Sequence, residues 1–228
     1  MARRTLFLLP GLLCDAQIWG HQSAALGKSA DIVIPDFRHV RSFTAMAQIV
    51  LDRAPERFMV VGHSMGARVA LEVVRKAHAR IDRLALLDTG IHPRKPTEEA
   101  GRQELIDLAR REGMEALAAR WLPPMLHPAN TALLAPLTEM IKRSTPDTFE
   151  NQQRALLDRP DARSVLPLIR CPTLVLCGRE DKWSPVSQHE EISSVIPDST
   201  LTVVEECGHM SPAEQPEAVT EALTQLIA

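Results

Sequence analysis

The chain has no block of like charge, no long apolar run and no closely paired cysteines, and each absence closes off a class of function. Its 26 basic and 29 acidic residues, a formal charge of −3 over 228 residues, are scattered along the sequence. Nucleic-acid binding rests on clustered Lys and Arg that neutralise phosphates, so no nucleic-acid partner is expected. The charged run HPRKP, residues 92–96, reads as a solvated loop. A membrane-spanning helix needs roughly 20 apolar residues. No run approaches that length, so no membrane partner is expected either. The N-terminal MARRTLFLLPG joins two arginines to an apolar run, as a signal peptide does. That run is short and enters a Pro-Gly turn, so it reads as a first strand, and a cytoplasmic protein is the expectation. Cys14, Cys171, Cys177 and Cys207 lack zinc-site spacing, and an apparent strand holds Cys171 and Cys177 apart. All are expected as thiols. Cys207 precedes His209 by two positions, yet a small buried apolar role suits it best. No His/Glu spacing suggests a metal. Internal repeats and low-complexity segments are absent, and nothing in the pattern specifies an oligomer.

What is present is rhythm. TLFLLP, DIVIPD, RFMVVG and RLALLD read as strands, separated by helical patterns at about 15–26, 43–54 and 64–79. The strands are near-continuously apolar rather than alternating, as expected when parallel strands are covered on both faces. The expectation is an α/β fold with a doubly wound, mostly parallel open sheet. After Asp88 the rhythm breaks. Residues 91–165 carry helical patterns such as RQELIDLARREGMEALAARW, interrupted by LPPML, HPAN and STPD. TLVLCG, a helix near 185–195, TLTVVEE and a helix near 216–227 then restore the alternation. The expected organisation is a core of 1–90 and 166–228 with a helical cap insertion at 91–165.

In open α/β sheets ligands sit outside the carboxyl ends of the strands. The stretch VVGHSMGARVALEVV, residues 60–74, puts Ser64 in such a place, between Gly62 and Gly66 at a sharp strand-to-helix turn. The glycines let strand and helix pass closely, and the helix N-terminus directs unpaired N–H groups toward anything bound to the serine oxygen. GREDKWSP with Asp181 and ECGHMSP with His209 occupy two further strand ends. A serine hydroxyl is a poor nucleophile at neutral pH. It needs a base to take its proton and an acid to orient that base, roles that His209 and Asp181 can supply. Asp88, at another strand end, is the rival acid. His63 is expected to pack away from the serine, and His21, His39, His92 and His127 have no matching context.

With LLPGLLCDAQIWGHQ, GHSMG, GREDKWSP and GHMSPAEQPE in this order, the chain resembles the α/β-hydrolase superfamily nearly end to end, in particular its small capped carboxylesterases, lactonases and carbon-carbon bond hydrolases. The resemblance implies a Ser64, Asp181, His209 triad and an oxyanion hole made by the N–H groups of Leu12 and Met65, with Leu13 the alternative. Relatives that are haloalkane dehalogenases or epoxide hydrolases carry Asp at the position of Ser64, so acyl transfer is favoured. Leu12 after Gly11 disfavours perhydrolysis, for which an aromatic residue is frequent there. Pro10-Gly11 stands where many relatives have His-Gly, but an oxyanion hole asks for backbone donors, not that side chain. The implied activity is hydrolysis of a small or medium carboxylic ester through an acyl-enzyme, with no cofactor and a small-molecule substrate. A lactonase, thioesterase or carbon-carbon bond hydrolase would use the same residues, and so would a weakly catalytic ligand receptor. In ALAARWLPPML, Leu117, Trp121, Leu122 and Met125 lie close together, and Trp121 and Met125 are candidates for an acyl pocket against the alternative that they only join cap to core.

Overall fold

In the computed structural model, which describes residues 3–228, strands and helices alternate as far as residue 87. β1 (Arg4–Leu9), α1 (Gly20–Leu26), β2 (Ala30–Val33), α2 (Phe43–Arg53), β3 (Phe58–His63), α3 (Met65–Ala77) and β4 (Ile81–Leu87) follow in turn. A helical stretch intervenes, with α4 (Glu98–Trp121), α5 (Leu134–Lys142) and α6 (Pro146–Leu157). β5 (Thr173–Gly178), α7 (Val186–Val195), β6 (Ser199–Val204), α8 (Ser211–Glu214) and α9 (Pro216–Ile227) complete the chain.

The strands form a single sheet in the order β2-β1-β3-β4-β5-β6, and every pairing is parallel. The apolar runs explain its burial. Leu6 to Leu9 of β1 are fully buried, and every residue of β3 and β5 is buried. Each buried Leu or Val contributes about 1.5–3 kcal/mol relative to exposure. β2 and β6, at the edges, are only partly covered. Helices flank the sheet, α2 packing on α3 and α1 on α9. Because β2 lies on one side of β1 and β3 on the other, the winding reverses between β1 and β3. The carboxyl ends there open a crevice.

Local chemistry sets the helix starts. Ser42 accepts the Ala45 N–H at 3.2 Å before α2, and Thr145 accepts that of Thr148 at 3.1 Å before α6, with Pro146 in the first turn. The helix expected at 15–26 begins as a 3-10 turn over Ala16–Trp19, started by the Asp15 carboxylate accepting the Gln17 N–H. The pattern in 102–121 falls within α4, but Gly113, at φ 87°, breaks it into two helical pieces. A side chain would be strained in that conformation. α8 was not anticipated. Among the described residues no helix is long and apolar enough to cross a membrane, no group of His, Cys, Asp and Glu is placed to hold a metal, and all four cysteines are free.

Candidate active site

β3 ends at His63 and α3 starts at Met65, leaving Ser64 to make the whole turn at φ 54° and ψ −113°. Only a tight approach of helix to strand allows it. A Cβ on Gly66 would stand 2.1 Å from the Leu9 carbonyl oxygen and 2.8 Å from that of Pro10. Glycine therefore lets α3 close onto the end of β1, which draws Gly11 and Leu12 beside the serine. The Ser64 carbonyl accepts the N–H groups of Ala67 and Arg68. Those of Met65 and Gly66, in the first turn, have no acceptor within the helix.

Ser64 Oγ donates to His209 Nε2 at 2.8 Å, and His209 Nδ1 donates to Asp181 Oδ2 at 2.7 Å. The two partners assign the tautomer, with Nε2 left as acceptor. Asp181 lies in the turn after β5, where its Oδ1 accepts the N–H groups of Trp183 and Ser184 at 2.8 and 2.9 Å. Burial disfavours the charged form of Asp181, but the His209 charge and these hydrogen bonds outweigh it and hold the carboxyl below its usual range. Burial pushes His209 down, yet the charge and hydrogen bond of Asp181, with Asp88 and Glu214 beyond, bring it above the ordinary 6.5. A pair with opposed shifts of this kind suits proton exchange at neutral pH.

Asp88 takes a different position. Its Oδ2 accepts Ser211 Oγ at 2.5 Å, its Oδ1 accepts the Gly178 N–H at 3.2 Å, and burial followed by the Asp181 charge raises it well above the carboxylate range. His63 donates through Nε2 to the His209 carbonyl at 2.8 Å, and burial pushes it down to about 3, so it stays neutral. The histidine loop is further held by Glu214. Its carboxylate accepts the N–H groups of Gly208, Met210 and His127 and the Asn130 amide, and His209 N–H donates to the Met125 carbonyl at 2.6 Å.

Above Ser64 lies a cavity of about 850 Å³ between the strand ends and the helical stretch, lined by Leu12, Met65, Trp121, Met125 and Trp183 among others. Leu13 N–H donates to Gln152 Oε1 at 2.9 Å and is thereby occupied. Trp121 and Met125 line the cavity while being only 5% and 3% exposed, so lining and core packing coincide in the same side chains. Trp121 packs edge-on against Phe149 and Trp183, and Trp183 tilts over His209 with ring centres 5.9 Å apart. Reading the sequence did not single out Glu214, Trp183, Arg68, Arg102 or Arg159. Arg68 was the accessible one, four residues and hence one helical turn beyond Ser64. Trp183 and Glu214 also make local contacts, with Asp181 and with Met210, while Arg159 reaches the site only through contacts distant in sequence.

Comparison with known proteins gives the same architecture. The model of the alpha/beta hydrolase family matches residues 6–222. RutD of Yersinia enterocolitica, named for a proposed carbamate hydrolase activity, is 25% identical over 91% of this chain and 81% of its own. A thermophilic esterase from Thermogutta terrifontis, solved with malate bound, superposes with a TM-score of 0.88 at 28% identity, covering 98% of this chain and 89% of that one. The enol-lactonase of Burkholderia xenovorans LB400 matches in fold with a TM-score of 0.86 at 22% identity, over 100% and 92% of the two chains.

Proposed function

This chain belongs to the alpha/beta hydrolase family and is a hydrolase, and from that premise we propose that it cleaves a small or medium carboxylic ester with Ser64 as nucleophile. One observation carries the reading: the continuous hydrogen-bonded series from Ser64 Oγ through His209 to Asp181, at 2.8 and 2.7 Å. In this mechanism His209 Nε2 takes the Ser64 proton as Oγ attacks the carbonyl carbon. The oxyanion that forms accepts the N–H groups of Leu12 and Met65. His209 then gives its proton to the departing alkoxide, leaving an acyl-serine. Water, deprotonated by the same nitrogen, attacks the acyl carbon and the proton returns to Ser64. Asp181 holds the imidazole in the required tautomer and offsets the charge it acquires. The helical stretch acts as a cap whose Trp121 and Met125 face the substrate.

Labelling with a fluorophosphonate, together with turnover of p-nitrophenyl acetate, tests the reading. Rapid labelling abolished by Ser64→Ala, with many turnovers per enzyme, is the expected result. A single turnover per enzyme would instead make the chain a receptor that processes its ligand once. The relative named for carbamate hydrolysis makes a carbamate the first non-ester to assay beside a lactone and a thioester.

A further inference from the structure

The cavity carries positive charge that the ester chemistry does not use. Arg68, Lys95, Arg102 and Arg159 line it against Asp88 and Glu98, in a chain whose formal charge is −3. Asp88 is engaged beneath the histidine loop, which leaves Glu98 to face the arginines. Glu98 serves two of them. Arg159 meets it through Nη1 at 2.9 Å and Nη2 at 2.7 Å, and Arg102 through Nε at 2.8 Å and Nη2 at 2.5 Å. The remaining donors of this pair go to the carbonyls of His92, Leu156 and Pro93 and to Gln153. Burial opposes the Glu98 charge, but the arginine hydrogen bonds overcome it and hold the carboxyl down to about 2.

Arg68 has no such partner. Among the described residues no carboxylate lies within ion-pair distance of it, and its hydrogen bond is a single one, from Nη2 to the His92 carbonyl at 3.1 Å. A guanidinium has five donors, so a role in holding residues 88–93 accounts for little of its capacity. Burial, followed by repulsion from Arg159 and only partly offset by the Glu98 charge, pushes it down to about 9, which leaves it charged at neutral pH. A half-buried cation with no carboxylate beside it has lost part of its hydration, and an anion that arrives with the ligand offsets that loss.

We propose that the ester bound here carries a carboxylate, and that Arg68, one helical turn from Ser64, is the side chain that binds it. The inference deepens the serine hydrolase reading and rests on it for the word ester, while the anion site itself stands on the arginine geometry. A guanidinium fork matches a carboxylate in two parallel hydrogen bonds, which fixes orientation as well as charge. Lys95, exposed at the rim, adds to the attraction of an incoming anion. The acid that would be released is therefore either a dicarboxylate or a carboxylate paired with a hydroxy acid, so the reaction that consumes the products must accept such compounds.

Calorimetric titration with glutarate and with its uncharged diamide tests the proposal without requiring turnover. Wild type should bind glutarate roughly tenfold or more tightly than the diamide, as a charge-assisted pair requires. Arg68→Met should remove that difference and Arg68→Lys should restore part of it. Glutarate should also compete with p-nitrophenyl acetate, and its binding should persist in Ser64→Ala. Equal binding of acid and diamide by wild type overturns the proposal even if Arg68→Met does not fold, and so does a preference that survives in folded Arg68→Met. Glutarate binding through Arg68 without any ester turnover would leave the anion site standing and remove the hydrolase reading instead.

Discussion

Replacing Ser64 by glycine should stabilise the protein relative to replacing it by alanine, although both changes remove the same hydroxyl. Ser64 sits at φ 54° and ψ −113°, with a Cβ in a region that side chains rarely occupy. Strain of this kind costs about 1–3 kcal/mol. Alanine keeps the Cβ and the strain. Glycine relieves it, at a loss of about 0.4–1 kcal/mol from the greater freedom of the unfolded chain. The difference leaves Ser64→Gly more stable than Ser64→Ala by roughly 0–2.6 kcal/mol, with a midpoint of about 1.3 kcal/mol. Urea unfolding followed by circular dichroism measures it directly, since equal slopes make the shift in midpoint a shift in stability. Both variants should lack ester turnover and fluorophosphonate labelling. Two results would refute the reasoning: a glycine variant less stable than the alanine variant, or turnover by either within tenfold of wild type. The first denies that the turn is strained, the second that Ser64 is the nucleophile.

His209 accepts a proton only when neutral, so wild-type kcat/KM should fall as the pH drops through a value above 6.5, the ionisation of His209 being raised by Asp181 against burial. Asp181→Asn should lower kcat by three to four orders of magnitude, on the order of 10³–10⁴, and shift that acid limb to lower pH because burial then dominates; a limb that stays in place, or an Asp88→Asn change that is the more damaging, reassigns the acid. Gly66→Ala drives a methyl group onto the Leu9 carbonyl and should cost about 1–3 kcal/mol while lowering kcat as Leu12 is displaced. Gly20→Ala, with nothing within 4 Å and away from the cavity, is its control and should leave kcat as it is; the idea fails if the two variants have the same kcat. Trp121→Ala should lower stability by about 3–5 kcal/mol and also change the order of preference among acyl chain lengths, measured over a series of p-nitrophenyl esters. A uniform loss across that series takes Trp121 out of the binding site.

The sheet was legible because its signal is local. β5 and α9 fall where TLVLCG and the 216–227 pattern predict them, since buried parallel strands are uninterrupted apolar runs and Pro216 opens the last helix. The serine turn was equally legible, its glycines being set by a steric demand that acts within a few residues. The break at Gly113 was not, because the apolar spacing continues on both sides of it. The arginine cluster was hidden for another reason: Arg102 meets Glu98 one turn away within α4, but Arg68 and Arg159 lie on other segments, and no periodicity within one segment records a charge balance made between segments. Trp121 and Met125 show the limit of a choice between pocket and core, for in a cavity walled by the hydrophobic core one side chain belongs to both.

The ties around Glu214 make the helical stretch and the histidine loop one mechanical part. The Met125 carbonyl takes the backbone N–H of His209, and Glu214 takes amides from both sides of the junction, at His127 and Asn130 on one side and Gly208 and Met210 on the other. The helical stretch is therefore not an interchangeable module. A chimaera that imported another relative's helices between residues 91 and 165 would exchange the pocket and at the same time unmoor the base, unless the graft ended before Met125 and kept residues 125–130 native. Recombination at that junction, rather than at the ends of the sheet strands, is what would let substrate range be altered while proton transfer is left intact.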